Sequence, residues 1–135
     1  MALTHLLDTD ICIEALRRRS DPLLRHLRRH APGEVAVSVI TEAELAFGAV
    51  KSAAPERNAA SAAAFLRPFV VLEFERGFVP VYATLRLDLD RAGTRIGAFD
   101  LLIAAQAVAL DLTVVTNNLR EFRRVPGLRV ENWLV

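Results

Sequence analysis

Leu3-Thr4-His5-Leu6-Leu7-Asp8-Thr9-Asp10 is the stretch on which the fold turns. Leu3 to Leu7 is a short apolar run of strand length, and the oxygens of Asp8-Thr9-Asp10 offer cap chemistry for a helix running to about Arg18. A strand that ends on a carboxylate and passes straight into a helix is the opening unit of an alternating chain. The rest continues the alternation. Asp21-Pro22 starts a second helix with proline in its first turn, ending near Pro32-Gly33. Val35 to Val39 reads as a buried strand, after which Thr41 caps a helix carrying Glu44.

An alanine-rich helix, about Glu56 to Arg67, follows the break at Pro55, and Phe69 to Leu72 reads as a third strand. Glu75 to Ala92 is a long amphipathic helix despite Pro80 near its start, and Arg91 to Gly97 is a flexible loop. Asp100 to Leu110 is helical, with Leu101, Leu102, Ala105 and Val108 as its buried stripe. Thr113 to Val115 is a strand, Asn118 to Arg123 one helical turn, and Leu128 to Val130 a last strand after Pro126-Gly127. Strands alternating with helices predict an α/β fold, a parallel sheet of about five strands with helices on both faces.

A length of 135 residues predicts one domain spanning 1–135. Hydrophobic content of 53% with a net charge of +1 excludes a disordered chain. The longest candidate membrane segment, Phe99 to Val115, is interrupted by Asp100, Gln106 and Asp111, and no basic-then-apolar leader opens the chain. A cytoplasmic location is the expectation. The lone Cys12 excludes an internal disulfide and supplies no thiolate cluster for zinc. Lys51 is the only lysine, and the other basic residues are all arginine. Arg17-Arg18-Arg19 with Arg25, Arg28 and Arg29 forms the strongest local positive field, suited either to a solvated helix face or to a nucleic-acid backbone.

Four acids stand beside apolar runs in separate parts of the chain: Asp8, Glu44, Asp100 and Glu121. Carboxylates next to buried segments are costly without a compensating cation. In a parallel α/β sheet, sites form outside the carboxyl ends of the strands. Asp8 lies at such an end and the others flank the connections, so the fold can gather all four into a hard-metal site for Mg2+ or Mn2+ acting on phosphate. Glu42 and Glu44, two residues apart on a helix, point about 200° apart and cannot both face it. Glu44, four residues before Gly48, is the chosen ligand, and Glu42 is assigned to the helix N-terminus.

The segments Leu7-Asp8-Thr9, Glu44-Leu45-Ala46-Phe47-Gly48-Ala49, Gly97 to Ala105 and Thr116 to Leu128 together resemble the PIN-domain ribonucleases, and within them the VapC toxins of bacterial toxin-antitoxin pairs. The resemblance covers essentially the whole chain. It implies Asp8, Glu44, Asp100 and Glu121 as metal-site acids, with Thr9, Thr116 and Asn118 as polar supports. It also implies an endoribonuclease that cuts a structured RNA such as tRNA or rRNA, a VapB-like antitoxin that covers the crevice, and a toxin homodimer. Two departures stand out. Asp10 occupies a position where the family usually has Asn, adding a carboxylate that can ligate metal or raise a neighbour's pKa. Phe99 replaces an Asn common before the third acid, and is expected to pack into the core in preference to a substrate-facing position.

Arg95, in the loop before Asp100, is a candidate phosphate contact. His26 and His30 have an i, i+4 spacing that can hold zinc, but the surrounding arginines oppose it. Asp88 and Asp90 read as an exposed charged face, and Cys12 as a small buried thiol. Two other readings compete. Asp8-Thr9-Asp10 mimics the paired acids of haloacid-dehalogenase-like phosphatases, although the later lysine and terminal acidic pair are missing. A catalytically silent protein-binding module of the same fold is the other.

Overall fold

The computed structural model describes residues 2–18 and 20–135, without the Arg18 side chain. The chain runs β1 (His5–Leu7), α1 (Thr9–Arg18), α2 (Asp21–Arg28), β2 (Val35–Ser38), α3 (Val39–Val50), α4 (Pro55–Leu66), β3 (Val70–Leu72), α5 (Val79–Ala92), α6 (Ala98–Leu110), β4 (Thr113–Val115), α7 (Leu119–Phe122) and β5 (Val130–Glu131). The five strands form one parallel sheet in the order β3-β2-β1-β4-β5. The chain therefore winds outward from β1 through β2 and β3, then returns to pair β4 with β1's other edge. His5 faces Val35 on one side and Thr113 on the other. Between β1 and β4 the winding reverses, and a crevice opens beyond their carboxyl ends.

Side-chain alternation along β1 divides the interior into two halves. Leu6, Ala36 and Val114 face one side, packed against Leu85 and Leu89 of α5 and Leu101 and Ala104 of α6. Leu7, Val37 and Val115 face the other, against Ile11 of α1, Leu45 of α3, and Ala62 and Leu66 of α4. Helix α6 is the most enclosed, with Ile103, Ala104, Ala105, Gln106 and Ala107 all fully buried. The Gln106 amide donates to the carbonyls of Leu72 and Glu73, tying α6 to the end of β3.

Several boundaries differ from expectation. Helix α3 begins at Val39, and its cap is Ser38, whose Oγ accepts the Ile40 N–H at 3.0 Å. Thr41 is no cap: it lies fully buried inside the helix. Helix α2 stops at Arg28 and a 3-10 turn, Pro32–Glu34, leads into β2. A second such turn, Arg76–Phe78, precedes α5 and places Pro80 in that helix's first turn, where its missing N–H costs nothing. The last strand lies later than expected, at Val130–Glu131.

Gly93 ends α5 at φ 68°, the left-handed conformation that a residue lacking Cβ adopts freely. His26 and His30 hold no metal cluster among the described residues. Their rings stack on the buried Trp133 at centroid distances of 5.2 and 4.9 Å. Of the arginine field, Arg17, Arg25, Arg28 and Arg29 are exposed, while Arg19 lies outside the described residues. Among the described residues no helix is long and apolar enough to cross a membrane.

Candidate active site at the sheet edge

Asp8 is the first residue beyond β1 and is 1% exposed. Its backbone N–H continues the sheet by bonding to the Val115 carbonyl at 3.0 Å. Its carboxylate caps α1, accepting the Ile11 N–H at 2.9 Å, and it also bonds the Thr116 side chain. Thr116 occupies the equivalent position beyond β4 and is fully buried. The two strand ends at the reversal thus supply a buried acid and the hydroxyl that orients it.

Glu44, on α3, reaches the same edge through a hydroxyl relay. Thr9 Oγ1 donates to Glu44 Oε1 at 3.0 Å and stands 2.9 Å from Thr41 Oγ1. Thr41 was legible only as a cap in sequence, because a partner thirty-two residues away leaves no local signal. Asp100 sits in the first turn of α6, where the helix N-terminus favours negative charge. Glu121, on α7, is held from two sides: Gly97 N–H donates to Oε1 at 2.8 Å, and the Asn118 amide donates to Oε2. Asn118 is in turn fixed by its N–H to Thr116 Oγ1 at 2.8 Å.

The acids share one electrostatic environment. Burial raises the Asp8 carboxyl to about 7, against its bonds from Thr116 and Ile11, with the charges of Asp10 and Glu121 adding to the rise. Asp100 is also raised to about 7, first by burial and then by the charge of Glu121, with Asp8, a hydrogen bond to Glu121 and Asp10 contributing. Asp10 itself is exposed at the mouth. It lines a cavity of about 280 Å³ together with Thr9, Glu44 and Asp100. Phe99 lines that cavity too and is 55% exposed, contrary to the expected core position. It precedes Asp100 at the start of α6, whose sheet-facing side is filled by Leu101, Ala104 and Ala105. Arg95 lies elsewhere: its guanidinium pairs with Asp90 at 3.0 Å and lines a neighbouring cavity.

The donor set is all oxygen and all acid, which fits Mg2+ or Mn2+ and gives no thiolate or imidazole for softer metals. Among the described residues no three of these acids stand close enough to complete a ligand shell. Mg2+ commonly takes only one or two carboxylates and keeps its waters, so the set suits it. Burial and mutual repulsion raise Asp8 and Asp100 to about 7, a cost that a bound cation would offset.

The PIN-domain family model matches residues 5–128. This chain belongs to the VapC family of PIN domains. It is 38% identical over 131 residues to the tRNA(fMet)-specific endonuclease VapC of Salmonella typhimurium, covering 97% of this chain and 98% of that protein. It is 41% identical to Ribonuclease VapC2 of Haemophilus influenzae over 132 residues, 98% and 99% of the two chains. Among solved structures, the DNA-bound VapBC of Salmonella typhimurium superposes with a TM-score of 0.93 at 38% identity, covering 97% of this chain and 98% of the other. VapBC2 of Rickettsia felis bound to a promoter DNA fragment gives 0.92 at 37%, covering 97% and 99%. These matches leave no support for the phosphatase reading. Lys51, the lysine that reading would need, sits past the end of α3 with its ammonium 5.1 Å from the Phe47 ring centroid.

Proposed function

We propose that this chain is a divalent-metal-dependent endoribonuclease that cuts structured RNA of the tRNA class, working in the cytoplasm as the toxin of a VapBC-type pair. The observation that carries the reading is the gathering of Asp8, Glu44, Asp100 and Glu121, from four separate segments, around the crevice where the sheet's winding reverses. The name of the Salmonella relative supports the tRNA class, and that of the Haemophilus relative supports ribonuclease activity. A VapB-like antitoxin is the fitting partner, since the solved relatives are VapBC assemblies and an open groove of about 570 Å³ runs from Glu44 past Ile13, Leu16 and Leu45. Phe47 and Val50, 64% and 73% exposed on α3, suit an apolar contact in a homodimer or with that partner.

Asp8 and Asp100 are the residues that would hold the ion, with Glu44 and Glu121 directly or through water and Asp10 adding charge at the mouth. When bound, Mg2+ or Mn2+ supplies Lewis-acid chemistry, activating water and stabilising charge on the scissile phosphate. Thr116 and the Ile11 N–H fix the direction of Asp8's lone pairs. The Thr9 hydroxyl directs one Glu44 oxygen, and Gly97 and Asn118 bind both oxygens of Glu121. No histidine stands among the cavity's lining residues. Proton abstraction from an RNA 2′-hydroxyl by imidazole therefore has no agent, and hydrolysis with the 3′ oxygen leaving is the fitting route.

The test is cleavage of tRNA(fMet) transcript with Mn2+ titrated, alongside a small phosphomonoester, with product ends mapped. Cleavage should yield 5′-phosphate and 3′-hydroxyl ends and stop on chelation. A chain that hydrolyses only the phosphomonoester, or leaves cyclic 2′,3′-phosphates in excess chelator, overturns the reading.

A further inference from the structure

Next to the acidic crevice, and sharing Ala98 with it, lies a second cavity that none of the acids enters. Its volume is about 150 Å³. A space of that size holds a benzene-sized ring. The floor is apolar, made by Leu89 and Leu101, both nearly fully buried, with Ile96 beside them. The rim is aromatic and cationic. Tyr82 and Arg86, one helical turn apart on α5, meet through a 2.9 Å bond from Arg86 Nη1 to the tyrosine hydroxyl. Arg95 lines it from the loop that leads to Asp100, and Arg124 Nη1 donates to the Arg95 carbonyl at 2.8 Å, bringing a third guanidinium from beyond α7. Asp90 is the one acid lining this cavity.

This combination differs in kind from the crevice beside it. The crevice gathers carboxylates and repels every phosphate except one neutralised by a cation, so an RNA strand entering it needs positive charge immediately outside. Arg86, Arg95 and Arg124 against Asp90 leave that outside surface net positive. The Asp90–Arg95 pair is no obstacle, since Arg95 is 80% exposed and such solvated pairs exchange readily for a better anion. An apolar floor with a tyrosine at its edge then suits the flat face of an unstacked base.

We propose that the Tyr82–Arg86–Arg95 cavity is a nucleotide subsite, taking one unstacked base of the RNA strand next to the scissile phosphate and holding its backbone phosphate through the guanidinium groups. The inference rests on the ribonuclease reading above. The subsite anchors the flank of the cut, beside the crevice where Asp8 and Asp100 would hold the ion. Tyr82, Arg86 and Arg95 are thereby positioning residues for substrate.

The experiment measures binding of a fluorescently labelled single-stranded oligouridine 12-mer to the full chain in chelator, across a series of salt concentrations, and separately kcat and KM for tRNA(fMet) cleavage with Mn2+. Arg86→Ala and Arg95→Ala should each lower the slope of log affinity against log salt by about 0.7 per lost phosphate contact. Tyr82→Ala should weaken binding about tenfold with the salt slope unchanged, and Tyr82→Phe should restore most of it, since the stacking face survives. In cleavage all three should raise KM more than they lower kcat. Variants that are folded by circular dichroism yet bind the 12-mer with wild-type affinity and slope overturn the subsite, as does a wild-type chain that binds no RNA. Failure of the enzyme reading looks different: wild type then binds RNA, with the variants weakened as stated, but cuts nothing when Mn2+ is added.

Discussion

Replacing Asp8 by Asn should stabilise the metal-free protein at alkaline pH while removing its activity. Asp8 titrates near 3.8 in an unfolded chain and at about 7 in the fold. Between those values the folded state holds the proton more tightly than the unfolded state, so folding stability falls as pH rises through that window and stays low above it. The full difference of about three units corresponds to about 4 kcal/mol at pH 8. At pH 5 about one unit is already expressed, leaving about 3 kcal/mol to be lost between pH 5 and pH 8. For a chain of this length that is a Tm decrease of roughly 10 °C. Asp100 acts in the same direction. His5, whose burial depresses its pKa, acts oppositely, gaining stability as pH rises through 6.5.

The measurement is therefore the difference between wild type and Asp8→Asn, in which groups that do not interact with Asp8 cancel, while Asp100, raised in part by the Asp8 charge, adds to the difference in the same direction. Asn keeps an oxygen for the Ile11 N–H, and the Thr116 hydroxyl can either donate or accept. In excess chelator, Asp8→Asn should melt above wild type by an amount that grows by roughly 10 °C from pH 5 to pH 8. Mn2+ at about a hundred times its Kd should return about 2.7 kcal/mol to wild type and little to the variant. A wild-type Tm that equals or exceeds the variant's at pH 8 without metal would refute the argument that burial without a cation is what this carboxylate endures.

Asp100→Asn should lower kcat for RNA cleavage by at least a hundredfold with the circular dichroism spectrum unchanged, measured with trace metals controlled. Thr9→Val frees Glu44 from its hydroxyl donor and should lower kcat by about tenfold, with a raised Mn2+ requirement in the titration as the readout. Ile103→Ala, at a fully buried position of α6, should cost about 2 to 4 kcal/mol in urea unfolding. Gly93→Ala forces a Cβ into the left-handed conformation at the end of α5 and should cost about 1 kcal/mol, although the space around it is open.

The opening unit was legible because an apolar run meeting Asp8-Thr9-Asp10 carries both its period and its stop. The expected sheet, and Asp8, Glu44, Asp100 and Glu121 near its edge, follow from repeating that logic at each strand. The helix start at Val39 was not legible: Val35 to Ile40 is continuously apolar apart from Ser38, and such a run does not tell where a buried strand yields to a buried helix. Phe99 was misplaced because an aromatic beside an apolar helix reads as core, while its exposure depends on where α6 begins its first turn. The contacts that orient the acids, Thr41 to Thr9 and Gly97 N–H to Glu121, join segments with no sequence relation. Those depend on the closed sheet.

The strand order has a consequence for the moment of birth of the molecule. β1 is made first, yet its second neighbour is β4, so His5 waits for Thr113 before the middle of the sheet is closed. A ribosome-bound chain that has already released Asp8, Glu44 and Asp100 still lacks Thr116, Asn118 and Glu121, and its β1 edge is unpaired. Such long-separation pairings form late. The edge of the crevice is thus completed only after β4 has paired with β1 and brought Thr116, Asn118 and Glu121 beside Asp8.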